Sequence, residues 1–86
     1  MQFYFKKKFI KKFKKLRINV QVKFTENIEI FKINPQNSII NNHALHGVYA
    51  NCRSINVTGN IRAVYKMQDK DTVLFIDIDN HPNLYK

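Results

Sequence analysis

Histidine and arginine side chains in the second half of the chain lie beside several turn signals. His43 and Arg62 belong to the segment HALHGVYANCRSINVTGNIRAVY, and His81 and Tyr85 belong to NHPNLY near the C-terminal end. An imidazole can accept or donate a proton near neutral pH, and a guanidinium can hold a phosphate. Because both segments border strand-like runs, we expect these side chains at strand ends. Together they could cleave a phosphodiester bond.

The second half of the chain predicts an antiparallel meander of three strands. Alternating apolar and polar residues mark three runs, at residues 53–57, 61–67 and 72–78. Thr58-Gly59-Asn60 and residues 68–71 supply the turns between them. The Asn-rich stretch at residues 34–42 is a turn-rich connection that precedes the sheet.

The first half predicts one short strand and two helices. Residues 1–5 alternate like a strand and can add an edge to the sheet. Residues 6–16 place apolar side chains at helical spacing among lysines. Residues 18–31 fit both a strand and a helix, but the Asn-Pro pair before Gln36 favours a helix over residues 19–32. The expected fold is a single α+β domain, residues 1–86, with two N-terminal helices packed on a small twisted antiparallel sheet of about four strands.

Strand alternation sorts the polar candidates by face. The apolar face of the strand after the hairpin holds Ile61, Ala63, Tyr65 and Met67, and its other face holds Arg62, Val64 and Lys66. On the preceding strand Asn56 is the expected neighbour of Arg62. The same alternation places Arg53 on the opposite face, which favours a structural pairing with a carboxylate over contact with a substrate.

Net charge is concentrated at the N-terminal end. Residues 1–24 hold eight Lys and one Arg with no acid, and the remaining residues balance six basic against six acidic side chains. This segment predicts a polyanionic partner, either nucleic acid or an acidic protein. The alternatives are a solvated lysine face that maintains solubility and, less favoured, a membrane-surface helix at KKKFIKKFKKL.

The composition limits the number of domains, the cellular compartment and the cofactors that we expect. A chain of 86 residues supports one domain, and its 44% hydrophobic content can form a core without metals or disulfides. The one cysteine, Cys52, is expected to be buried in a protein of the reducing cytoplasm. There is neither an apolar run long enough to span a membrane nor a secretion signal. His43, His46 and His81 lack acidic or thiol companions at useful spacing, so we expect no metal and no cofactor.

Several motifs in this order resemble one protein family. They are KKFIKKFKKL near the N-terminal end, HALHG at residues 43–47, CRSINVTG at 52–59, IRAVY at 61–65 and HPNLY at 81–85. The sequence resembles the RelE/YafQ family of type II toxin–antitoxin mRNA interferases, especially its YafQ-like branch. The resemblance covers nearly the whole chain.

This resemblance implies a microbial RNase fold whose active site lies on the open face of the sheet. It also implies metal-free cleavage of mRNA at the ribosome, near rRNA. In that reaction the 2′-hydroxyl attacks the adjacent phosphate and leaves a 2′,3′-cyclic phosphate and a 5′-hydroxyl. The implied partner is a cognate antitoxin, with operator DNA bound only through the toxin–antitoxin complex.

The resemblance also implies roles for individual residues. His81 matches the general acid, His43 matches a base or substrate ligand, Arg62 matches the phosphate-binding arginine and Tyr85 matches a C-terminal aromatic that orients the substrate. Substrate binding is assigned to Asn56, Asn60, Arg53 and Lys66.

Four positions depart from the YafQ pattern. Asn56 replaces a histidine, Asn60 replaces an aspartate, Ile61 replaces a tryptophan, and Asp79 replaces a glycine and adds negative charge near the phosphate path. Asn cannot transfer a proton as His or Asp can, so catalysis would depend on His43 and His81. The alternative function is a catalytically weak or inactive module of the same fold, which binds RNA, DNA or an antitoxin through its basic N-terminal helix.

Overall fold

A computed structural model describes residues 1–84, in which five strands and two long helices account for most of the chain. The strands are β1 (Gln2–Phe5), β2 (His43–Ala44), β3 (Arg53–Asn56), β4 (Ile61–Asp69) and β5 (Thr72–Asn80). The helices are α1 (Lys7–Lys14), α2 (Ile18–Ile33) and the single turn α3 (His81–Leu84), with a 3₁₀ turn at Gly47–Tyr49.

The five strands form one sheet in the order β1-β5-β4-β3-β2. The predicted meander is confirmed, because β3, β4 and β5 pair antiparallel. The prediction of about four antiparallel strands is wrong in two respects. β2 adds a fifth strand, and it is too short to produce an alternating pattern. β1 pairs with β5 in parallel, a direction that alternation alone does not specify.

The ambiguous segment after Leu16 is helical, as the Asn-Pro signal predicted. α2 ends at Ile33, and its C-cap residue Asn34 directly precedes Pro35. Its buried side chains Phe24, Ile28 and Phe31 repeat every three to four residues and face the sheet. α1 is shorter than the predicted 6–16 at both ends.

An aromatic core joins both helices to the sheet. Phe9 of α1, Phe24 of α2 and Phe75 of β5 form a triangle whose ring centroids lie 5.3 to 5.5 Å apart. Ala63 and Tyr65 are buried in this core, as strand parity predicted. Met67, which pairs with Val73, is instead 37% exposed.

A second, smaller cluster covers part of the other face of the sheet. It consists of Leu45, Cys52, Val64 and Leu84, with Tyr49 and Ile76 packed against it. Cys52 is buried and free, as predicted. The face opposite the helices is therefore only partly open, and the polar side chains beside this cluster define the candidate site.

Candidate active site

Strand register brings polar side chains together on the face of the sheet opposite α2. One row across the sheet runs from His43 on β2 through Ser54 and Val64 to Asp77 on β5. Directly opposed residues place their side chains on the same face. A second row joins Asn56, Arg62 and Asp79 in the same way. We call the face that carries His43, Ser54, Asn56, Arg62, Asp77 and Asp79 the site face.

Arg62 lies near the start of β4, opposite Asn56 as predicted. Its Nη1 donates hydrogen bonds to the carbonyl oxygens of Thr58 at 3.1 Å, Gly59 at 3.0 Å and Ile61 at 3.4 Å. These bonds hold the guanidinium against the hairpin. Within residues 1–84 no acceptor is bonded to Nε or Nη2, so both remain available to a phosphate oxygen.

His43 is oriented by a backbone carbonyl. Its Nδ1 lies 2.9 Å from the carbonyl oxygen of Asn41, a residue in the left-handed region with φ of 43°. A carbonyl oxygen only accepts hydrogen bonds, so we assign the proton of the neutral ring to Nδ1. Nε2 of His43 then has a lone pair that can accept a proton.

His81 is the first residue of α3 and its side chain is exposed. Its backbone N–H donates to the carbonyl oxygen of Asn60 at 3.0 Å, which ties it to the β3–β4 hairpin. Asn60 itself is exposed in that turn. β2 and β5 are three strand spacings apart, roughly 14 Å, so His43 and His81 flank the strand that carries Arg62. Tyr85 lies outside the described residues.

The structure places Arg53 on the helix side of the sheet, opposite Tyr65. Its Nε donates to Oδ1 of Asn42 at 2.8 Å, and Nδ2 of Asn42 donates to the Tyr65 hydroxyl at 2.7 Å. The partner is thus an amide, not the carboxylate expected from the sequence. Burial raises the pKa of Tyr65, against the lowering effect of Asn42 and Arg53. Lys66 is exposed further along β4, opposite Leu74.

Two aspartates of β5 bind lysines of α1. Asp77 is 2% exposed, and its carboxylate lies 3.1 Å from Nζ of Lys8 and 2.9 Å from Nζ of Lys12. The Tyr49 hydroxyl donates to Oδ2 of Asp77 at 2.7 Å. Lys12 also lies 3.0 Å from Oδ2 of Asp79. We call Lys8, Lys12, Asp77 and Asp79 the ion cluster.

The ion cluster shifts the pKa of its members. Burial alone would raise the pKa of Asp77, but hydrogen bonds from Tyr49, Lys12 and Lys8 hold it below its ordinary 3.8. Burial likewise opposes the shift in Asp79, whose pKa is lowered by hydrogen bonds from Asn83 and Lys12. Burial disfavours the charged form of Lys12, yet the two carboxylates raise its pKa above 10.5. All three groups are therefore charged at neutral pH.

Two side-chain atoms of the site face lack hydrogen-bond partners among residues 1–84. They are Oγ of Ser54 and Oδ1 of Asn56, and both are buried. The backbone of Asn56 is firmly held, since its N–H donates to Ile40 and its carbonyl accepts from Asn27, each at 2.7 Å. These contacts fix the strand on which Asn56 faces Arg62.

Sequence reasoning missed the ion cluster and Tyr49. Two features of the sequence indicate the ion cluster. Asp77 and Asp79 interrupt an otherwise apolar strand, FIDID, and Lys8 and Lys12 are four residues apart on one face of α1. Neither signal identifies the partner, because the contact joins opposite ends of the chain.

Residues 1–84 contain no group of three His, Cys, Asp or Glu side chains arranged to hold a metal ion. Among the helices of the same residues, none has the length and apolar content needed to cross a membrane.

Solved structures of toxins are similar to this chain over nearly its whole length. A copper-bound mutant toxin from Helicobacter pylori matches with a TM-score of 0.81 and 26% identity over 99% of each chain. YafQ from E. coli strain BL21(DE3) matches with a TM-score of 0.72 and 18% identity over 98% of this chain and 97% of that one. A RelB-RelE antitoxin-toxin complex from Methanococcus jannaschii matches with a TM-score of 0.73 and 22% identity over 95% and 94%.

No protein-family profile and no curated protein matches the sequence. The likeness to solved structures includes both YafQ and RelE and extends from one end of the chain to the other. The resemblance first seen in the sequence motifs is therefore confirmed, and the chain has the fold of the RelE/YafQ toxins.

Proposed function

We propose that this protein is the toxin of a type II toxin–antitoxin system and acts as a metal-free endoribonuclease on mRNA at the ribosome. The observation that carries the proposal is the site face, where Arg62 lies between the strands that carry His43 and lead to His81. A proton acceptor, a cation and a proton donor are the groups that transesterification of RNA requires.

In the proposed reaction the 2′-hydroxyl of RNA attacks the adjacent phosphate. Nε2 of His43 takes the proton of the 2′-hydroxyl while O2′ bonds to phosphorus. The bond from phosphorus to O5′ breaks, and His81 donates a proton to the leaving oxygen. The products are a 2′,3′-cyclic phosphate and a 5′-hydroxyl. Nε and Nη2 of Arg62 hold the phosphate oxygens, on which charge accumulates in the transition state.

Asn56 and Asn60 bind substrate in this proposal and transfer no proton. Asn56 faces Arg62 across β3 and β4, and Asn60 is exposed at the adjacent hairpin. Either amide can donate a hydrogen bond to RNA. Proton transfer then depends on the two histidines alone.

The proposed regulatory partner is an acidic antitoxin. An apolar groove between α1 and α2 is lined by Phe5, Phe9, Ile10, Phe13 and Phe24, with Lys14 at its margin. Ile10 is 40% exposed there. The basic charge of residues 1–24 complements an amphipathic antitoxin segment with an apolar stripe and acidic flanks. Operator DNA would be bound only by the toxin–antitoxin complex.

Primer-extension mapping of mRNA tests the catalytic proposal. Wild type, His81→Ala and His46→Ala would each be induced briefly without antitoxin, and His46 serves as the control because it is an exposed histidine before Gly47. Codon-phased cuts are expected in the wild type and in His46→Ala but not in His81→Ala. Cuts that persist in His81→Ala would contradict the proposed acid.

A second function, binding without catalysis, is favoured by one specific observation. Lys7, Lys11, Lys14 and Lys15 are exposed along α1 and surround Ile10, so they form a continuous cationic surface for RNA or DNA phosphates. Growth arrest that survives His81→Ala, but is lost when these four lysines become Gln, would establish the binding module in place of the nuclease.

A further inference from the structure

Arg62 and Asp79 are directly opposed on β4 and β5, yet they form no ion pair. An opposed arginine and aspartate on one sheet face ordinarily attract each other. Here Oδ2 of Asp79 binds Nζ of Lys12 at 3.0 Å, and Nη1 of Arg62 binds hairpin carbonyls. Among residues 1–84, Lys12 provides the one ammonium group paired with Asp79.

The other oxygen of Asp79 organises the turn that carries His81. Oδ1 accepts hydrogen bonds from the Asn80 N–H at 2.8 Å and from Nδ2 of Asn83 at 3.0 Å. Oδ1 of Asn80 accepts the Asn83 N–H at 2.9 Å. A chain of contacts therefore runs from Lys12 through Asp79 to both sides of His81.

We propose that Lys12 is a positioning residue for RNA cleavage, which acts through Asp79 on Arg62 and on the His81 turn. This inference rests on the proposed function. Lys12 neutralises the Asp79 carboxylate, so Arg62 keeps Nε and Nη2 for the phosphate. It also holds the carboxylate in the position that anchors Asn83. Without Lys12, the half-buried charge of Asp79 would attract the Arg62 guanidinium.

Lys8 offers a matched control for this role. It lies one turn before Lys12 on α1 and pairs with Asp77 but not with Asp79. Lys12→Met and Lys8→Met each remove one positive charge and one lysine from the ion cluster. Cleavage of ribosome-bound mRNA by the full-length variants is then compared over a range of substrate concentrations to give kcat and KM, after thermal unfolding has confirmed that each variant is folded.

Lys12→Met is expected to lower kcat by roughly 10- to 100-fold with little change in KM, because misplacement of catalytic groups slows the chemical step. Lys8→Met is expected to change kcat by less than about fivefold. Lys12→Arg should keep most activity. Asp79→Asn in the Lys12→Met background should restore kcat. The substitution removes the negative charge at position 79, and the amide oxygen still accepts hydrogen bonds.

Three outcomes would overturn the inference. The first is an equal loss of kcat in Lys8→Met and Lys12→Met. The second is a double variant as slow as Lys12→Met alone. A rise in KM without a change in kcat would also contradict it, because that result would mean direct binding of RNA phosphates by Lys12.

An NMR measurement separates this inference from the proposed function. In Lys12→Met the Arg62 Nε–H signal should shift as the guanidinium pairs with Asp79, and amide exchange at Asn83 should accelerate. Both changes should be absent in Lys8→Met and reversed at Arg62 in the double variant. If both NMR changes occur while the wild type cuts no RNA, the nuclease proposal is wrong. The contacts that run from Lys12 through Asp79 to Arg62 and Asn83 would still be supported. If the wild type cuts RNA and these signals do not move, the inference fails.

Discussion

The Tyr49 hydroxyl donates a 2.7 Å hydrogen bond to Oδ2 of Asp77, and this bond fastens the 3₁₀ turn to the buried middle of β5. Hydrogen bonds to charged groups contribute more than neutral ones. Tyr49→Phe is therefore expected to lower the free energy of unfolding by about 1.5 to 3 kcal/mol, measured by urea denaturation.

Tyr4→Phe is the control for Tyr49→Phe. The Tyr4 hydroxyl donates to Gln2 on the exposed surface, so its loss should change stability by less than about 0.5 kcal/mol. Equal effects in both variants would mean that the bond to Asp77 contributes nothing specific.

Acid should destabilise the fold through Asp77 and Asp79. Both carboxyl groups have a pKa below 3.8 in the folded protein, so the unfolded chain binds their protons first as pH falls. Their stabilisation is complete above the unfolded pKa and is lost as pH decreases through the folded pKa. Urea denaturation between about pH 2 and pH 6 should show this loss below about pH 4.

Asp77→Asn tests the origin of that acid sensitivity. The variant should be less stable at neutral pH, because Lys8 and Lys12 lose a buried partner. Its stability should also fall less steeply with acid than that of the wild type. A slope equal to the wild-type slope would assign the acid sensitivity to other carboxyl groups.

The tautomer of His43 predicts a specific loss of catalysis. Its Nδ1 faces the Asn41 carbonyl, so in the proposed reaction Nε2 would accept the substrate proton. His43→Gln should lower kcat for RNA cleavage by about 10² to 10⁴-fold, the range typical of a missing general base. His46→Gln should cleave at the wild-type rate, and a loss of similar size in that variant would contradict the assignment.

The groove between α1 and α2 predicts a site for the antitoxin. Ile10→Asp should weaken antitoxin binding by roughly 30-fold or more, as expected when a central apolar contact is lost. Isothermal titration calorimetry with the purified antitoxin provides the measurement. Ile33→Asp is the control, because Ile33 is 87% exposed at the end of α2 and does not line the groove. Equal weakening of antitoxin binding in both variants would mean that the antitoxin binds another surface.

Local sequence patterns specify the secondary-structure elements of this protein. Periodicity of Phe9 and Phe13 specifies α1, and the Asn-Pro pair at Pro35 ends α2. The turn at Gly59 fixes the β3–β4 hairpin and with it the pairing of Asn56 with Arg62. These features depend on neighbours in sequence, and their hydrophobic patterns and turn residues are visible without the fold.

Contacts between residues far apart in the sequence depend on tertiary packing. The parallel pairing of β1 with β5 and the contact of Lys12 with Asp79, 67 residues apart, join the two ends of the chain. The resemblance placed the negative charge of Asp79 near the expected phosphate path, whereas the fold gives that carboxylate a lysine partner. The physical reason is that alternation and spacing specify which face a side chain occupies, but the packing of α1 against β5 selects the group that it contacts.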